Sequence, residues 1–221
     1  MRPANNDTKR KNNLFLITIF CTYGLIYSQT NNIEHHKIGL GFIYGQGAHK
    51  SFPSPSKSYN FRTKFYKLHL NYKLTNKRYW ALAVNLEPSY YINEHKSLGS
   101  VQHVAGKIAE STTRPEDVIN EYALNIGIQA KYNLFKNLTS YFLGSIGPTF
   151  SNMKTERLNK GFAFSNIVAM GLNYNINLVL LDFRLSMRHV SNAGMNYPNR
   201  GYNSLNFEVG FTIPLKTPTI Y

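Results

Sequence analysis

From residue 37 onward the chain alternates apolar side chains with small or polar ones over eight separate runs, the period of a strand and not the 3.6-residue period of a helix. In the first run, residues 37 to 45, Ile38, Leu40, Phe42 and Tyr44 share one face, and Gly39, Gly41, Ile43 and Gly45 the other. The second sets Tyr66, Leu68, Leu70, Tyr72 and Leu74 against Lys67, His69, Asn71 and Lys73. The third sets Trp80, Leu82, Val84 and Leu86 against Ala81, Ala83, Asn85 and Glu87. In the fourth, Tyr122, Leu124, Ile126, Ile128 and Tyr132 oppose Ala123, Asn125, Gly127, Gln129 and Lys131. A fifth run, about 138 to 151, is the least regular. The sixth opposes Phe162, Phe164, Val168, Met170, Leu172 and Tyr174 to Ala163, Ser165, Ala169, Gly171 and Asn173. The seventh opposes Val179, Leu181, Phe183, Leu185 and Met187 to Asp182, Arg184, Ser186 and Arg188, and the eighth Leu205, Phe207, Val209, Phe211 and Ile213 to Ser204, Asn206, Glu208 and Thr212.

Eight alternating strands fit either a soluble barrel with its apolar face inside or a membrane barrel with that face on lipid. The polar faces favour the membrane. They carry Gly, Ala and Ser, which fit a narrow eight-stranded interior, and Asp182, Arg184, Arg188 and Glu208, which can pair there, while Tyr, Phe and Trp gather near strand ends as in interfacial girdles. The links repeat the same message. They run roughly 46 to 61, Thr75 to Arg78, 93 to 120, Phe135 to Asn137, Asn152 to Lys160, Asn175 to Asn177, and 190 to 202, so long or medium links alternate with short ones. Short periplasmic turns and longer extracellular loops give that alternation. The expected fold is all-β, an eight-stranded antiparallel transmembrane barrel with both ends in the periplasm.

The first 28 residues change the picture only by adding an address. Lys9, Arg10 and Lys11 precede an apolar stretch from Leu14 to Ile26, and Ser28 precedes polar Gln29, which is the layout of a secretory signal peptide cleaved after about Ser28. The stretch is too short for the roughly 20 residues of a membrane-spanning helix. Residues 29–221 are then a single domain. The one cysteine, Cys21, falls in the removed segment, so the mature chain has no disulfide, no cysteine metal site and no thiol nucleophile. Loss of four cations and one anion with that segment lowers the formal charge of +14 to about +11. Lys and Arg are scattered rather than gathered on one helix or loop, and with export this excludes nucleic acid as the partner; a phosphate-crowded membrane surface suits the charge.

Candidate chemistry lies in the run from Arg188 to Gly194 and the following segment from Tyr197 to Asn203. His189 and Ser191 are two apart, so on a continuing strand they point the same way with Cα atoms about 6.5 to 7 Å apart. A neutral imidazole within hydrogen-bond reach of a serine can take its proton as the hydroxyl attacks an acyl carbonyl. By parity the pair continues the row of Leu181, Phe183, Leu185 and Met187 and faces lipid, where packing gives a polar pair no purpose. The seventh strand climbs from a short turn to a longer loop, so His189 is expected near the outer leaflet. Asn203 opens the eighth strand and shares the parity of Leu205 and Phe207, which brings it to the same patch.

This segment resembles the lipid A 3-O-deacylase family (PagL), whose pattern is a His-x-Ser-Asn-Ala run, a Pro-Asn turn and a third polar residue opening the last strand. The strand count, link pattern and export address agree with that family over the whole mature chain, although only residues 188 to 203 carry specific motifs. The resemblance implies an outer-membrane esterase that removes the 3-O-linked hydroxyacyl chain of lipid A, with lipopolysaccharide and outer-membrane lipids as its partners and no cofactor or metal. It implies His189 as general base, Ser191 as nucleophile and Asn199 of the Pro-Asn turn as oxyanion donor, with Asn192 or nearby backbone amides as further candidates. The sequence departs from the pattern at one place. Members often carry glutamate as the third residue, and here it is Asn203, whose amide oxygen can still orient the imidazole with less electrostatic help. Glu208 does not replace it, since parity sends it into the barrel.

Other motifs carry less. His35 and His36 are adjacent and face opposite ways on a strand, so they make no metal pair. Gly39, Gly41 and Gly45 precede no helix and read as barrel filling rather than a phosphate loop. Two rival readings stay open from sequence alone: a non-enzymatic barrel with a structural or adhesive role, and a soluble lipid-binding barrel.

Overall fold

The computed structural model describes residues 37–49, 59–97, 103–104, 107–108, 117–155 and 157–215. The expected signal segment, Cys21 and the pair His35 and His36 lie outside them. Strands β1 (Ile38–His49), β2 (Tyr59–Asn76) and β3 (Trp80–Ser97) are followed by a small ribbon of β4 (His103–Val104) and β5 (Lys107–Ile108). Then come β6 (Asp117–Phe135), β7 (Leu138–Ser151), β8 (Gly161–Ile176), β9 (Val179–Ser191) and β10 (Tyr202–Leu215). Eight of these, all but β4 and β5, close a barrel in the order β1-β10-β9-β8-β7-β6-β3-β2, every neighbour antiparallel. Closure leaves no unpaired edge, which a sheet in hydrocarbon requires.

The faces decide between the two barrel types. Leu68 is 54% exposed, Ile128 61% and Met170 62%, whereas Arg184, Arg188, Lys67 and Glu208 are each 1% exposed. The apolar residues face outward and the charges inward, so the soluble reading falls and the fold is that of an outer-membrane β-barrel. The interior is packed, not open. Arg184 donates to Glu87 at 2.9 Å and to Asp182 at 2.8 Å, Lys67 lies 2.9 Å from Glu208, and Arg188 donates to Glu121 at 2.8 Å. These pairs compensate charges taken out of water. Glycine is required where the wall meets this filling: a β-carbon on Gly45 would stand 2.2 Å from the Phe65 ring.

The loop-side end differs from expectation. β1 continues to His49, β2 begins at Tyr59, β3 continues to Ser97 and β6 begins at Asp117, so the links placed at 46 to 61 and 93 to 120 are shorter than the sequence suggested. The reason is an inversion of polarity. At this end Phe61, Leu158, Ala163, Val190 and Tyr202 form a buried apolar cluster inside the barrel, with Phe65, Tyr91 and Ala123 as a second cluster, while Arg62 and Lys64 face out. The alternation persists with inside and outside exchanged, as in a water-exposed barrel. β7 was irregular for a related reason: Tyr141 and Leu143 point inward, and Gly144 and Pro148 outward.

Candidate active site

β9 delivers His189 and Ser191 to the outer surface because it alternates without a break. Asp182, Arg184, Ser186, Arg188 and Val190 are buried, while Phe183, Leu185 and Met187 are exposed and His189 and Ser191 half-buried in the same row. Asn203 is the register partner of His189 on β10. Its Oδ1 lies 2.6 Å from His189 Nδ1. A carboxamide oxygen only accepts, so Nδ1 carries the proton and the lone pair of the neutral ring sits on Nε2.

The imidazole and Ser191 converge on one point. A β-carbon built on Gly201 would lie 3.2 Å from His189 Cε1, 3.3 Å from Ser191 Cβ and 2.6 Å from the Val190 carbonyl. Gly201 also adopts φ +61°, a region side chains resist. Only glycine lets the chain return here against the catalytic-type pair. No local sequence pattern signalled this role.

The loop between β9 and β10 is tied by its own amides. Asn192 is 1% exposed. Its Nδ2 donates to the Asn196 carbonyl at 2.7 Å and its Oδ1 accepts the Gly194 N–H at 3.2 Å, so its carboxamide is consumed within the loop. Its backbone N–H donates to Asn199 Oδ1 at 3.0 Å. That bond fixes the Asn199 carboxamide and leaves its Nδ2 as the group available to an incoming oxygen. Asn199 is further held by a bridge to Leu158, and Arg200 and Gly201 donate to the Arg157 carbonyl at 2.8 and 3.1 Å, so the link between β7 and β8 braces the site. Ala193 sits at φ 52° and Gly194 at φ 82°. A non-glycine residue held there stores strain of about 1 kcal/mol or more, which persists only when surroundings impose it.

Asn166 on β8 was also missed. It is the register partner of His189 on the side away from Asn203, half-buried, and interrupts the outward apolar row between Phe164 and Val168. That polar break was the signal to look for. Four outward polar groups, Asn166, His189, Asn203 and Ser191, therefore stand together at the loop-side end of β8, β9 and β10, where the apolar outward rows of these strands are interrupted or stop.

Comparison with known proteins follows the same line. A family model described as lipid A 3-O-deacylase (PagL) matches residues 58–212. Among solved structures, that of the outer membrane enzyme PagL is similar with a TM-score of 0.53 at 12% identity, covering 79% of this chain and 99% of that one. Neisserial surface protein A (NspA) has the same TM-score at 9% identity, covering 81% of this chain and 97% of that one. At such identities these likenesses speak to the fold. No curated protein sequence matches significantly. With the family model spanning most of the barrel, from the start of β2 into β10, the chain belongs to the lipid A 3-O-deacylase (PagL) family.

Proposed function

We propose that this protein is an outer-membrane serine esterase that hydrolyses the ester holding a 3-hydroxyacyl chain at position 3 of lipid A. The observation that carries the reading is the 2.6 Å contact of His189 Nδ1 with Asn203 Oδ1, on the outward face that also bears Ser191. An imidazole oriented by an acceptor, two residues from a serine and open to lipid, has the parts of a nucleophile and base pair. Family membership supplies the substrate.

In this reading Nε2 of His189 takes the Ser191 proton as Oγ adds to the acyl carbonyl. The carbonyl oxygen becomes an oxyanion received by Asn199 Nδ2, with Asn192 acting through Asn199 by fixing its carboxamide. The intermediate collapses with cleavage of the bond to the sugar oxygen, and the imidazolium returns its proton to that oxygen. Water, deprotonated by the same nitrogen, then releases the fatty acid and restores Ser191. Asn203 holds the ring throughout. No metal or cofactor is invoked in any step. Residues 1–28 serve as a cleaved export signal, checked by N-terminal sequencing of the membrane-inserted form.

The test is labelling with an alkyl phosphonate in detergent micelles, read by intact mass and peptide mapping. The expected result is one phosphonyl group on Ser191 in the wild type and none in His189→Asn. Labelling that ignores His189, or a mature protein that never labels, contradicts the proposal.

A further inference from the structure

Among the described side chains, the full charges on outward strand faces are Arg62, Lys64 and Glu94, all at the loop-side end of β2 and β3. The remaining outward rows, His189 aside, are uncharged. Lys64 and Glu94 form an exposed pair at 3.7 Å. Such a pair contributes little to folding. Arg62, opposite Glu94 in the ladder, makes no ion pair among the described residues. The patch lies on the loop-side end, where the outward faces turn polar, and it is cationic on balance.

The patch borders an open groove of about 530 Å³ with an apolar floor of Leu185, Leu205, Phe207 and Ala48. The registers connect it to the candidate site. Asn203 lies two residues beyond Leu205 on β10, Leu205 pairs with Ala48 on β1, and Ala48 pairs with Arg62 on β2. Two interstrand spacings put Arg62 about 10 Å round the wall from β10. A group occupying the groove therefore lies beside an ester presented to Ser191.

We propose that this groove is a subsite for a phosphate and an adjacent acyl chain of one phosphorylated, acylated sugar, the substrate lipid itself. Arg62 offers a planar fork that matches a phosphate bidentately, and Lys64 exchanges its loose pairing with Glu94 for the stronger anion. The acyl chain covers Leu185, Leu205 and Phe207. The occupant is a lipid rather than a protein because the groove opens sideways from the apolar wall and joins aliphatic surface to cationic rim. This inference rests on the esterase reading and adds to it that the phosphate is a positioning handle, so dephosphorylated lipid is a poor ligand.

Binding and turnover test it separately. Ser191→Ala protein in micelles is titrated with lipid A bearing its phosphates and with the dephosphorylated lipid, beside the same protein also carrying Arg62→Gln and Lys64→Gln. The expected preference for the phosphorylated lipid is about tenfold or more, and it collapses toward unity when both cations are removed. With Ser191 present, the ratio of kcat/KM between the two lipids follows the same course, whereas a merely misfolded variant loses both lipids in parallel. Arg62→Lys keeps the charge but loses the planar fork, so it is expected to retain only part of the preference. Equal binding of the two lipids by the parent protein, or a preference untouched by loss of both cations, overturns the subsite even if turnover is normal. Phosphate-dependent binding without any turnover by the wild type keeps the subsite and overturns the esterase.

Discussion

Asn203 Oδ1 lies 2.6 Å from His189 Nδ1, the two residues being register partners on β10 and β9. A bond between partners of one ladder is held by the sheet itself. It needs no flexible loop to form, so the ring orientation is built before substrate arrives, a prerequisite for efficient proton transfer.

Substituting this partner separates orientation from charge. Asn203→Leu removes the acceptor and is expected to lower kcat by about 10²- to 10⁴-fold without changing the barrel. Asn203→Glu restores an acceptor and adds a negative charge that favours the imidazolium formed during attack. Its kcat is expected to exceed that of Asn203→Leu and to rise above the wild type. A kcat that stays at the Asn203→Leu level contradicts the assigned contact.

In the proposed mechanism Asn199 and Asn192 act in series. Asn199→Ala is expected to cost about 10²- to 10³-fold in kcat with little change in KM, the signature of a lost oxyanion donor. Asn192→Ala leaves the backbone donor to Asn199 in place but frees the loop, so its loss is expected to be smaller; kinetics of the two single variants and the double variant decide the order.

Gly201→Ala forces a β-carbon to within 2.6 Å of the Val190 carbonyl and against His189 and Ser191. Activity is expected to fall steeply while the barrel still folds, because the strain of about 1 to 3 kcal/mol is local. Heat-dependent mobility on gels reports the fold and ester hydrolysis the site.

How much of this the sequence disclosed differs between the two halves of each strand. The faces of β9 were legible because Asp182, Arg184 and Arg188 alternate with Phe183, Leu185 and Met187, and the same count carries His189 and Ser191 outward, although the strand runs to Ser191 and the link was placed from 190. The ends of β2 and β3 were not, since Phe61, Phe65 and Tyr91 turn inward there, and an outward apolar row was the pattern sought. The interior charges were foreseen, but not their partners: Glu87 meets Arg184 from 97 residues away, across a closed barrel whose circumference no local pattern reports. The site loop behaves alike. Asn199 was a turn residue on sequence grounds, and only the Asn192 N–H donated to its Oδ1 shows which of its two amide atoms is engaged.

Glu87 is the hub of that interior, lying 2.9 Å from Arg184, 2.9 Å from His69 and 3.5 Å from Lys67. Glu87→Ala strands buried cations and is expected to destabilise the barrel by on the order of 3 to 5 kcal/mol, seen as a lower urea midpoint for unfolding from micelles. Replacing an outward residue of the same strand, such as Leu82→Val, is expected to shift the midpoint far less.

In the proposed function Ser191 attacks an ester of lipid A in the membrane that holds the protein. Its most direct test is mass spectrometry of lipid A from cells making the wild type or Ser191→Ala at equal outer-membrane levels, in a host whose lipid A carries the 3-O-linked chain. The predicted result is loss of one hydroxyacyl mass only with Ser191 present. Identical spectra from the two strains would rule out Ser191 as the nucleophile of a lipid A esterase.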